Sequence, residues 1–191
     1  MKTSIVAAAF SIALMCSLTV MAEDSVPKGW SIQGSKPAAY EIKLDPGQKS
    51  EHGNSISFQS KGEPDGMATL MQAIKADDFR GKRVRFSGHI KGESVKSWAA
   101  LWMRVNNVDG TVSSFDNMEK RAFRGDGNWK KYEVVLDIPN DGSTISFGAI
   151  LSGSGHMWVS GLDFQTVNET VPVTAKSKAE LNRKPINLEF N

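Results

Sequence analysis

Residues Trp98 to Gly110, WAALWMRVNNVDG, divide by parity: Leu101, Met103 and Val105 form one row, and Trp98, Ala100, Trp102 and Arg104 form the other. Such alternation marks a β-strand, whose successive side chains point to opposite faces. The aliphatic row predicts the core side, which leaves two indoles and a guanidinium on the opposite face. Beyond it, VNNVDGTVSS predicts a hairpin with Asp109-Gly110 at its tip, because both residues tolerate the backbone angles of a tight reversal.

The pattern recurs along the chain. Tyr40, Ile42 and Leu44 alternate with Glu41, Lys43 and Asp45, and Val84, Phe86 and Ile90 alternate with Arg85, Ser87, His89 and Lys91. Tyr132, Val134, Leu136 and Ile138 form a further row, as do Ile145, Phe147, Ala149 and Leu151. Asp45-Pro46-Gly47, Gly125-Asp126-Gly127, Asn140-Asp141-Gly142 and Gly153-Ser154-Gly155 carry turn chemistry between them. MATLMQAI, from Met67, also reads as a strand, with Asp77 to Gly81 as a connecting turn. Short alternating strands separated by turns predict an all-β fold, an antiparallel β-sandwich.

Residues 1–22 are read apart from this domain. A lone Lys2, an uncharged stretch to Ala22 and the Val20-Met21-Ala22 ending have the form of a cleaved signal peptide, so the expectation is an exported, periplasmic or secreted bacterial protein with no membrane attachment after cleavage. An uncleaved anchor is the alternative, since about 18 or more uncharged residues can span a bilayer. The only cysteine, Cys16, lies in this segment, and a domain of the remaining length buries enough core without disulfides. Residues 23–170 are assigned to one β-jelly-roll domain, and 171–191 to a linker and C-terminal tail. Charges of both signs are interspersed and the net charge of the whole chain is +2, so nothing offers the basic face that nucleic acid requires.

PKGWSIQGSKPAAYEI, GKRVRFSGHIK, WAALWMRV, FDNMEKR, NWKKYEVVLDIP and SFGAILSGSGHMWVSGLDF together resemble a galactose-binding-like jelly-roll module. The resemblance covers roughly Pro27 to Val167. It is similar to carbohydrate-binding modules, and to relatives found beside bacterial AraC-type regulators and exported peptidases or esterases. One such sandwich hosts many functions, so the resemblance implies a fold before it implies a ligand. Members of the group often carry Asp-Asp after the Trp-Val of the last strand. Here Trp158-Val159 is followed by Ser160-Gly161, which removes oxygen ligands that a structural calcium would need. They also often begin with an N-L-x-F-E strand; this chain has Asn187-Leu188-Glu189-Phe190 at its other end. The expectation is that this tail, with Ile186, Leu188 and Phe190 on one side, returns to the sheet. Deleting Lys184 to Asn191 then lowers the melting temperature by several degrees.

Catalytic signatures are scarce. His52, His89 and His156 are isolated in sequence, no G-x-S-x-G elbow, phosphate loop or dinucleotide fingerprint occurs, and no cofactor or metal is expected. Asp116, Glu119, Asp137 and Asp141 are acids near strand ends, but nothing in the sequence sets the separation of two carboxylates that a glycosidase requires. Sugar recognition calls for aromatic platforms beside planar hydrogen-bonding groups. Trp98, Trp102 and Arg104 supply that mix, and the return strand SSFDNMEKR brings Asp116, Asn117 and Arg121 alongside. These six are the candidate ligand-binding residues, with Trp158 as a possible second platform. Trp102 reads more as core than as platform, with Arg104 neutralised by Asp116 or Glu119, and Trp98 reads either way; Trp30, Trp129 and Trp158 read as mainly structural. The resulting expectation is a non-catalytic module for a carbohydrate or cell-envelope ligand. A structural or interaction accessory is the alternative, and a hydrolase a weaker one.

Overall fold

The alternating rows become nine antiparallel strands in the computed structural model, which describes residues 26–175. They are β1 (Ser31–Gln33), β2 (Tyr40–Ser50), β3 (Gly53–Ser60), β4 (Met67–Lys75), β5 (Arg83–Asn107), β6 (Val112–Asp116), β7 (Phe123–Asp137), β8 (Gly142–Ser152) and β9 (His156–Val167). Their pairing gives one sheet curled into two layers. The first layer runs β1–β4–β8–β5–β6 through the C-terminal half of β5, and the second runs β7–β5–β9–β3–β2 through its N-terminal half. This is an antiparallel β-sandwich of jelly-roll type, as the alternation predicts.

The inner faces bury the expected rows. Val84, Phe86 and Ile90 of the second layer meet Leu101, Met103 and Val105 of the first, all within the core. Phe86 packs on Phe147 with ring centroids 5.0 Å apart, and Trp30 meets the same ring edge-on at 6.0 Å. Leu44 departs from its row, being 48% exposed near a register shift that lifts β2 away from β3 after Asp45.

Two turn assignments are corrected by the long-range pairing. Arg83–Lys91 and Trp98–Asn107, read as separate strands, are one bent strand of 25 residues. Gly125-Asp126-Gly127 is no reversal but the part of β7 that follows this bend, Gly125 opposite Val95 and Gly127 opposite Gly92. Ser94 sits at the corner with φ +52, and its N–H donates to the Asp126 carboxylate at 2.6 Å. Across the layer gap, Gly155 has φ +138, and a Cβ there would lie 2.7 Å from Val95 Cα. Only glycine fits that approach. Asp45-Pro46-Gly47 likewise lies within β2, at its irregularity, and the chain reverses later, at Glu51 and His52.

Residues 171–175 are not a free linker. Thr174 N–H donates to Val135 O at 2.9 Å, Val135 N–H donates to the Thr174 hydroxyl at 2.8 Å, and the Arg83 guanidinium donates to Val171 O at 2.7 Å. The segment therefore lies along β7, and Val135 is buried although it faces away from the core row of Val134 and Leu136. The expected leader and the Ile186-Leu188-Phe190 strand lie outside the described residues.

Candidate functional site

Strand pairing places the candidate residues face by face. Trp98, Ala100, Trp102 and Arg104 share the outer face of the first layer; opposite them on β8 stand Ser152, Ile150, Gly148 and Ser146. Trp102 is only 8% exposed. Its indole N–H donates to Thr69 Oγ1 on β4 at 2.7 Å, and the Thr69 hydroxyl donates to Ala149 O at 2.8 Å. The ring thus reaches across β8 and is pinned there. A buried indole N–H needs a partner, and Thr69 meets that need.

The neighbours of Trp102 differ from it. Trp98 is half-buried, packed against the core margin with part of its surface open. Arg104 is exposed and makes no hydrogen bond or ion pair among the described residues. It pairs across the ladder with Phe115, 49% exposed on the same face. The outer face therefore opens at the two ends of one row, at the Trp98 indole and the Arg104 guanidinium, while its middle, Ala100 and Trp102 with Ile150 and Thr69 beside them, is buried.

The other three candidates do not join this row. Asp116 pairs with Met103, not with Arg104, so strand alternation turns it toward the core side. It is 8% exposed and accepts from Arg121 through both oxygens, at 3.0 and 2.6 Å, and from Met118 N–H at 2.8 Å. Burial alone would raise its carboxyl, but Arg121, the Thr174 hydroxyl and the Met118 amide outweigh it and hold the group below the usual carboxylate range. Asn117 accepts from Glu119 N–H at 3.2 Å, closing a local turn in which Met118 takes φ +56. Phe115 to Arg121 and Thr174 line an open pocket of about 290 Å³. Expecting all six residues on one surface is thus corrected: Trp98, Trp102 and Arg104 lie on the outer face, and Asp116, Asn117 and Arg121 build a turn beside the sheet edge. Neither Asp116 nor Glu119 neutralises Arg104.

Trp158 lies on the outer face of the second layer and is 4% exposed. Its N–H donates to Asp45 at 2.8 Å, the His156 ring lies against it at a tilt of 34° with centroids 3.6 Å apart, and Lys91 Nζ sits 5.0 Å from its ring centroid. That bond holds the Asp45 carboxyl below its usual range. A ring so enclosed is structural. His52 and His89, isolated in sequence, stack at 3.8 Å on the same layer. This cluster escaped sequence reading, whose only trace of it was the polar row of β5. Of the candidate acids, Asp137 is held by Arg83 at 2.6 and 2.9 Å, as Asp116 is by Arg121. Among the described residues no group of three His, Cys, Asp or Glu is placed to hold a metal.

No known family model matches the chain. The protein named uncharacterized HTH-type transcriptional regulator YbfP of Bacillus subtilis (strain 168) is 41% identical over 169 residues, 85% of this chain and 56% of that protein. The chain thus spans little more than half the length of this relative. Among solved structures, the CBM22-1 xylan-binding domain of Paenibacillus barcinonensis Xyn10C superposes with TM-score 0.53 at 15% identity, over 76% of this chain and 90% of that one. The C-terminal family 22 carbohydrate-binding module of Clostridium thermocellum Xyn10B gives 0.53 at 14%, over 78% and 91%. At such identities the likeness is one of fold. The chain has the β-sandwich fold of carbohydrate-binding modules.

Proposed function

We propose that this chain is a non-catalytic binding module that takes a carbohydrate across the outer face of its first layer. The observation that carries this reading is the row Trp98–Trp102–Arg104: an indole partly open to solvent, its neighbour fixed by Thr69, and a guanidinium without a described partner. Sugars present apolar C–H faces and hydroxyl edges, which an indole and a guanidinium respectively match. Solved structures of the same fold are named as xylan-binding, which supports a polysaccharide as the ligand class. Asp116 and Arg121 serve this reading as a structural pair at the sheet edge, and Asn117 as its turn.

Saturable quenching of tryptophan fluorescence across an oligosaccharide panel tests the proposal. Trp98→Ala is expected to abolish the response while the melting temperature moves by less than the cost of an emptied core. Loss of binding in Asp116→Asn but not in Trp98→Ala would move the site to the edge pocket.

Export remains part of the proposal, resting on the leader-like residues 1–22. Cell fractionation with N-terminal sequencing checks it, Glu23 being the expected first residue of the mature chain. A second reading is favoured by the 41% identity to a protein named as a regulator: the module is the ligand-sensing or interaction half of such an assembly. The same outer face then receives the signal.

A further inference from the structure

We infer that the sugar recognised on this face is acidic, a hexuronic acid whose carboxylate meets Arg104; this rests on the carbohydrate-binding reading and specifies its ligand. The first observation is the partner balance of the arginines. Arg80 pairs with Asp77, Arg83 with Asp137, Arg85 approaches Glu133 at 3.9 Å, and Arg121 pairs with Asp116. Arg124 donates to the carbonyl of Glu119. Arg104 alone among the described arginines has neither an acid nor a carbonyl.

The second observation is the surface around it. Register fixes which residues share the face: Trp98 to Asn106 pair with Ser152 to Thr144, and these with Met67 to Lys75. None of the residues on that face of β5, β8 or β4 is an aspartate or glutamate, and neither are Ser31 and Gln33 of β1 or Val112 and Phe115 of β6. The strands bordering Arg104 therefore leave its charge uncompensated, in the same row as the partly open indole of Trp98. Trp98 and Arg104 stand about 20 Å apart along an extended strand, so one oligosaccharide can engage both. A guanidinium meets a carboxylate through two parallel hydrogen bonds, a geometry that a neutral hydroxymethyl group cannot reproduce.

The test compares acid and ester forms of the same chains. Tetragalacturonate, tetramannuronate and a glucuronate-substituted xylo-oligosaccharide are each titrated calorimetrically against their methyl esters, with wild type, Arg104→Gln and Arg104→Lys. At least one acid is expected to bind about tenfold more tightly than its ester, with the preference weakening as salt rises. Arg104→Gln should equalise acid and ester, Arg104→Lys should keep part of the preference, and melting temperatures should stay unchanged. Equal binding of acid and ester to wild type, or a preference that survives Arg104→Gln, overturns the inference and leaves neutral carbohydrate binding standing. Binding of no acid and no ester overturns both.

Discussion

Trp102 and Trp98 share a strand face and four residues' separation, yet their roles divide. Trp102 spends its indole N–H on Thr69, so its ring is a structural element reaching from β5 to β4. Trp102→Phe is expected to cost about 1–3 kcal/mol, the hydrogen bond together with the part of the indole that a phenyl ring does not fill, and Trp102→Ala about 3–5 kcal/mol. Urea unfolding measures both. The Asp116–Arg121 pair makes the complementary case. Arg121→Gln leaves a buried carboxylate half-satisfied, but the Arg121 side chain is itself 41% exposed, so the expected loss is about 2 kcal/mol and not the full cost of a broken interior pair. Sequence brought Asp116 next to Arg104, but the ladder register set it against Met103 and so reversed its face. One residue of register decides such a question, and no local pattern reports it.

Strand β5 is the element on which the fold turns. Its two halves were each legible as strands, because a period of two survives bending. Their union was not, because the residues that bend a strand are those that end one: Gly92, Ser94 and the Gly125-Asp126-Gly127 segment of the partner strand. Pairing across many residues of sequence separates the two outcomes. Gly155→Ala tests the corner, since a methyl group there meets Val95 backbone and the residue holds φ +138. The expected destabilisation is about 1–3 kcal/mol, seen as a lower urea midpoint with an unchanged m-value. An unchanged midpoint would mean that β5 and the β8–β9 turn do not touch as described.

The molecule as a whole carries two unlike outer faces. The first layer has open positions beside a satisfied indole, whereas the second carries all three histidines, His89 and His156 half-buried and the exposed His52 stacked on His89. Burial lowers His89 first, and His52 and Lys131 lower it further against the pull of Glu51. Burial also lowers His156, outweighing the opposing effect of Glu93 and Asp45. An unfolded histidine takes up its proton at about pH 6.5, before these folded ones do, so acid favours the unfolded chain. Stability is therefore complete above that pH and declines as pH falls below it toward the lowered folded values. Melting temperatures recorded between pH 7.5 and 5 should fall, and His89→Phe should flatten part of the slope. A flat profile in the wild type would contradict this.

At this scale the sequence disclosed the sandwich but not the choice of face. Alternation specifies that a strand has two sides, while occupancy of the outer side depends on what the rest of the chain lays over it. Amide chemical-shift mapping during titration with tetragalacturonate and xylohexaose tests that choice most directly. Carbohydrate binding on the first layer predicts shifts centred on Trp98 to Arg104, Ser146 to Ser152 and Met67 to Met71. Shifts centred on Asp116 to Arg121 or on His156 and Trp158, or none with either sugar, would contradict it.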